Sequence, residues 1–133
     1  MIGYRVSRAD LETQIGAKWL ANARARTDLF RQLGHYAEQS PAWSAVKKVY
    51  MALQHQKCAY CERKLESSDY GAGEQDIEHF RPKSSVKAWK VPGELTRAGI
   101  GFSPIPAGPT GYYLLPYHPL NYSAACKPCN SVL

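Results

Sequence analysis

Two Cys-x-x-Cys pairs, Cys58-Ala59-Tyr60-Cys61 and Cys126-Lys127-Pro128-Cys129, enclose the whole stretch from residue 62 to residue 125. Four thiolates in two such pairs are the complement of a tetrahedral Zn²⁺, which binds sulfur at about 2.3 Å. Zinc ribbons usually separate their pairs by roughly 15–20 residues. A longer separation means that folded chain lies between the pairs and that the ion clamps its two ends. A clamp of this kind supplies stability that a small core lacks. Two independent redox motifs would each want a βαβ setting, which the flanks do not show. The spacing therefore predicts a structural zinc site at Cys58, Cys61, Cys126 and Cys129. His55, three residues upstream of Cys58, is expected to be a surface or packing histidine rather than a ligand.

The chain has 133 residues, enough for one domain or a small core with a helical extension. No apolar run approaches the roughly 20 residues of a membrane span, so no membrane partner is expected. The N-terminus lacks a secretory pattern, so cytoplasmic residence is expected, where thiols stay reduced. Seventeen Lys and Arg against eleven Asp and Glu give +6, an excess that one Zn²⁺ on four thiolates shrinks by two. Most of the surplus sits in the first 57 residues, the part expected to attract a polyanion.

Residues 1–55 read as a helical extension and 56–133 as the cysteine-bearing module. One helix is expected over residues 8–33, with Ser7 as N-cap, Leu11, Ile15 and Trp19 on one face, and Gly34 as the stop. A second starts at Ser40-Pro41 and presents Trp43, Val46, Tyr50 and Leu53. Beyond Gln56 the periodicity ends. Gly71-Ala72-Gly73 separates the first knuckle from a strand over Asp76–Phe80. Residues 91–111, with five glycines and four prolines, are expected to form a long non-helical loop. Tyr112–Leu115 reads as a strand and Asn121–Ala125 as a short helix.

Within the enclosed stretch, Glu78-His79 pairs a hard oxygen ligand with an imidazole whose ordinary pKa near 6.5 suits a base at neutral pH. Strand neighbours point to opposite faces, so both can serve one site only at a strand end or bend. Arg81, Lys83, Lys87 and Lys90 follow with no acid from residue 79 to residue 93, a strip suited to a phosphodiester backbone. Trp89, among them, is expected in the core. His118 reads as a loop histidine.

The ordered string Cys58-x-x-Cys61, Glu78-His79-Phe80-x-Pro82-Lys83, Asn121 and Cys126-x-x-Cys129-Asn130 resembles the HNH endonuclease family, over roughly residues 56–131. It is most similar to the bacterial branch with a terminal Cys-x-x-Cys-Asn. The resemblance implies an α+β fold, with the N-terminal helices followed by a zinc-stabilised ββα-metal (His-Me finger) module. It implies a DNA endonuclease with His79 as general base and Asn121 orienting His79 through its side-chain carbonyl. Glu78 and Asn130 would hold a catalytic Mg²⁺ or Mn²⁺. The family helix continues past the last ligand, so the resemblance further implies a chain cut short at its C-terminal helix. Nucleases of this branch are often encoded beside an ATPase in anti-phage defence, which suggests an ATPase partner. The rival from another class is a non-catalytic zinc-knuckle module that binds nucleic acid or protein, needing the cysteines and the basic face but not Glu78, Asn121 or Asn130.

Overall fold

The computed structural model describes residues 5–65 and 73–132. Gly71 and Ala72 lie outside the described residues. The front of the chain is helical, but as two helices: α1 over Arg8–Ile15 and α2 over Ala17–Leu33. Ser7 caps α1 as expected, its Oγ accepting from the Asp10 amide at 3.1 Å. The single long helix fails at Gly16, which takes φ 93° and ψ 145°, a conformation open to glycine and strained for other residues. That break lets Leu11 and Trp19 reach the same core from two directions. Gly34 ends α2 in the left-handed conformation, with its amide on Phe30 O at 2.9 Å.

The next helix starts later than Ser40-Pro41 suggests. A 3₁₀ turn over Trp43–Val46 leads into α3, Lys47–Leu53. The Ser40 region is used instead as a hydrogen-bonding corner. Arg26 Nη1 donates to Ser40 O at 3.1 Å and pairs with Glu38, and the Tyr117 hydroxyl receives the Ala42 amide at 2.9 Å.

A two-stranded antiparallel sheet lies within the cysteine-bearing half of the chain, β1 over Gln75–His79 and β2 over Tyr122–Cys126. Its register pairs Gln75 with Cys126, Ile77 with Ala124 and His79 with Tyr122. By strand alternation these residues share one face, and Asp76 and Glu78 share the other. The helix expected over Asn121–Ala125 is therefore a strand, preceded by a 3₁₀ turn over Pro119–Asn121. All five β2 residues are buried, and burial on both faces overrides the helical preference of two alanines. Helix α5, Lys127–Val132, follows β2 directly.

A lone strand pair is marginal in water. Here it is supported on β2's outer edge by Gln54, fully buried at the end of α3. Its Oε1 accepts the Ala124 amide at 2.7 Å and its Nε2 donates to Ala124 O at 2.8 Å. One side chain thus does the work of a third strand. Leu11, Val46, Tyr50 and Met51 pack in one apolar cluster with Cys58, Ile77 and Tyr122, so front helices and cysteine module share a core. A second cluster joins Ala23 and Phe30 to Tyr117.

Residues 84–110 form an arm. It is pinned by two isolated bridges, Val86 to Gly108 and Trp89 to Ile105. Within it lies a short helix, α4 over Gly93–Arg97, where none was expected. Pro92 stands just before α4 and Gly99 just after, so the breakers of this stretch bound the helix rather than forbid it. Trp89, expected in the core, is exposed on the arm and packs edge-on against the exposed Phe102. Tyr112–Leu115 is a turn and not a strand, with Leu115 N on Tyr112 O at 2.8 Å. Gly111 sets it: at φ 58°, a Cβ there would lie 1.6 Å from Ser84 O.

Candidate functional site

The four cysteine sulfurs lie within 4.8 Å of one another. Among the described residues they are the one group of three or more His, Cys, Asp or Glu ligand atoms close enough to share an ion. A tetrahedron with bonds of about 2.3 Å has edges of about 3.8 Å, and Cys61 Sγ stands 3.7 Å from Cys126 Sγ. The donor set fits, and the cluster could hold a metal such as Zn²⁺.

The first knuckle is a tight hairpin. Cys58 N donates to Arg63 O at 2.9 Å and Glu62 N to Cys58 O at 3.1 Å, with Glu62 at φ 61°. The second knuckle straddles the junction of β2 and α5, and the Cys126 amide donates to Cys58 Sγ at 3.4 Å. Burial opposes ionisation of Cys58, but amides of Cys126, Cys61 and Tyr60 outweigh it and lower the thiol to about 6. Cys129 is pushed up to about 12, first by its hydrogen bond with Cys61 and then by burial. Crowded sulfurs ionise one at a time, and a dication relieves that repulsion.

Beside this cluster a cavity of about 330 Å³ is lined by Trp43, Ser44, Asp76, Glu78, His79, Lys83 and Asn130, among others. It takes residues from both faces of β1 and none from β2, which places it at β1's unpaired edge. That position lets Glu78 and His79 serve one space although their side chains alternate. The cysteine cluster and the cavity are adjacent in sequence, since Asn130 follows Cys129 on α5.

The His79 ring is wedged between Trp43 and Tyr122, with centroids at 4.8 Å and 5.1 Å and both packings edge-on. Its Nε2 lies 3.2 Å from Pro116 O. A carbonyl only accepts, so Nε2 carries the proton and Nδ1 keeps its lone pair. Burial first, then the Lys83 ammonium, lowers the imidazole to about 4, so the ring is neutral at neutral pH. The Glu78 carboxyl moves the other way. Burial raises it, the charge of Asp76 adds to the rise, and Lys83 opposes it. Lys83 is held inward, its Nζ 5.2 Å from the Trp43 ring centre and 5.8 Å from that of Tyr36.

Asn121 does not orient His79 directly. Its Oδ1 accepts the Arg81 amide at 2.7 Å, and its Nδ2 donates to Arg81 O and Leu115 O at 3.1 and 3.0 Å. The buried amide is used up in bracing the turn whose next carbonyl, Pro116 O, meets His79. The orienting group expected from a side chain is thus supplied by backbone, one step removed.

Asn130 Nδ2 donates to Asp76 Oδ2 at 3.0 Å, and Lys127 Nζ reaches the same oxygen at 2.7 Å. Glu78 and the remaining Asn130 carbonyl are oxygen donors on one polar cavity, a set that suits a hard divalent ion. Asp76 went unnoticed as a site residue. The signal available was its i, i+2 spacing from Glu78, which puts the two carboxylates on one strand face.

Of the basic strip, Arg81, Lys87 and Lys90 are exposed, and Lys83 is turned into the cavity. Arg81 lies over the Tyr112 ring at 5.4 Å, and Lys87 and Lys90 ride on the arm. His118 caps the 3₁₀ turn before β2, its Nδ1 accepting from the Leu120 amide. His55 is exposed at the end of α3. Among the described residues no helix is long and apolar enough to cross a membrane. No family model, curated protein or solved structure matches this chain.

Proposed function

We propose that this protein is a metal-dependent DNA endonuclease with His79 as its general base. One observation carries the reading: the His79 imidazole, with Nε2 on a backbone carbonyl, lines one polar cavity with Glu78 and Asn130, and Asn130 follows directly on a cluster of four cysteines that could hold a metal. His79 Nδ1 removes a proton from water, the water oxygen attacks phosphorus, and the P–O3′ bond breaks. The leaving oxygen takes a proton from solvent. A divalent ion such as Mg²⁺ or Mn²⁺, held by Glu78 and the Asn130 carbonyl, would supply Lewis-acid stabilisation of charge on the phosphate. Zn²⁺ on Cys58, Cys61, Cys126 and Cys129 is structural in this reading, because it fixes the first turn of α5 and with it Asn130.

Exposed Arg81, Lys87 and Lys90 are the phosphate contacts. Lys83 contributes as a fixed cation inside the cavity, favouring both the neutral imidazole and an incoming phosphate. The resemblance adds an anti-phage role in the cytoplasm and an ATPase partner.

Nicking of supercoiled plasmid in Mg²⁺ or Mn²⁺ tests the proposal. His79→Ala is expected to lower the rate on the order of 10²–10⁴-fold, with DNA affinity and zinc content kept. Nicking by the variant at the parent rate, or none by the parent, would leave the non-catalytic zinc-knuckle module as the better reading.

A further inference from the structure

Asp76 belongs to none of the roles above, although it faces the same cavity as Glu78 and Asn130. Its Oδ2 accepts two hydrogen bonds, from Asn130 Nδ2 at 3.0 Å and from Lys127 Nζ at 2.7 Å. An ionised carboxylate accepts and does not donate, so only the nitrogen end of the Asn130 amide can face it. The carbonyl end is thereby turned away from Asp76. Left alone, a primary amide on a six-residue helix would rotate between two orientations, and only one offers oxygen to a cation.

We propose that Asp76 is a positioning residue that locks the Asn130 amide so that its Oδ1 faces the cavity as a cation ligand. The inference rests on the nuclease reading, because it takes Asn130 as the ligand of the catalytic ion. Supporting groups of this kind typically contribute about 10–100-fold in metal affinity. Lys127 has a different task. It neutralises Asp76, so that the second carboxylate does not compete with Asn130 for the ion.

Binding of Mn²⁺ to the zinc-loaded full chain without DNA, followed by loss of the free-ion paramagnetic resonance signal, tests this. Asp76→Ala is expected to weaken Mn²⁺ binding about 10-fold or more. Asp76→Asn keeps an acceptor for Asn130 Nδ2 and is expected to restore most of the affinity. Asn130→Ala is expected to lose affinity as well, and Asp76→Ala added to it should cost nothing further, because Asp76 acts through Asn130. Additive losses in the double variant, or Asp76→Asn as weak as Asp76→Ala, would make Asp76 a direct ligand and overturn the positioning role. Full affinity in Asp76→Ala would also overturn it while leaving the nuclease reading intact. A parent protein that binds no Mn²⁺ beyond its zinc site would end both.

Discussion

At the scale of single residues, environment decides what the His79 imidazole can do. It is half-buried between two aromatic rings, with a lysine nearby and a backbone carbonyl on Nε2. Burial and Lys83 both disfavour the imidazolium, and together they outweigh the Pro116 carbonyl, which favours it. In the proposed nuclease the base must be unprotonated, so kcat/KM for DNA is expected to fall as pH drops through about 4. The acid limb would stand near 6.5 for an unperturbed histidine. Lys83→Met removes a cation that destabilises the imidazolium, so it should move the limb to higher pH, part of the way back. A pH–rate profile of parent and variant checks both statements. A parent limb at 6.5 would contradict the environment described here.

At the scale of elements, the sheet depends on what flanks it. β2 is buried on every residue, yet only one of its edges meets a strand. Gln54 completes the other. Gln54→Ala would strip the Ala124 amide of its partner, whereas Ala124 O keeps the Ala59 amide at 3.0 Å. One buried unsatisfied donor, lost hydrogen bonds and a small cavity together should cost about 2–4 kcal/mol. Denaturant unfolding checks this, and a loss under about 1 kcal/mol would mean that water replaces the side chain. Nothing in the local sequence singles out Gln54, because its role depends on a strand 70 residues away.

For the molecule as a whole, the cysteine cluster ties the end of the helical half to the end of the chain. A metal held by the four cysteines would pin the first knuckle and the start of α5 together, and its removal would release both. Elemental analysis is expected to give one zinc per chain, and a strong chelator should lower the melting temperature and remove the proposed nuclease activity together. Reversible disulfides in a metal-free chain of unchanged stability would instead favour thiol redox chemistry. The sharing of one apolar cluster between Leu11, Tyr50, Cys58 and Ile77 makes that loss global rather than local.

The sequence by itself determined the elements that local chemistry dictates. Ser7 caps a helix whatever packs on it, Gly34 ends one, and paired cysteines at two short spacings imply a shared ion. The family resemblance, rather than local chemistry, grouped Glu78, His79, Asn121 and Asn130 in one candidate site, and the first two share a cavity with Asn130. Tertiary structure decided the rest. Only the pairing of Tyr122–Cys126 with β1 turns an alanine-containing stretch into a strand, since the energy lies in burial between distant partners. Only the approach of Pro116 O takes the orienting role from Asn121, and only the packing of α5 brings Asn130 to Asp76. Contacts of that kind join residues far apart in the chain, and no local pattern encodes them.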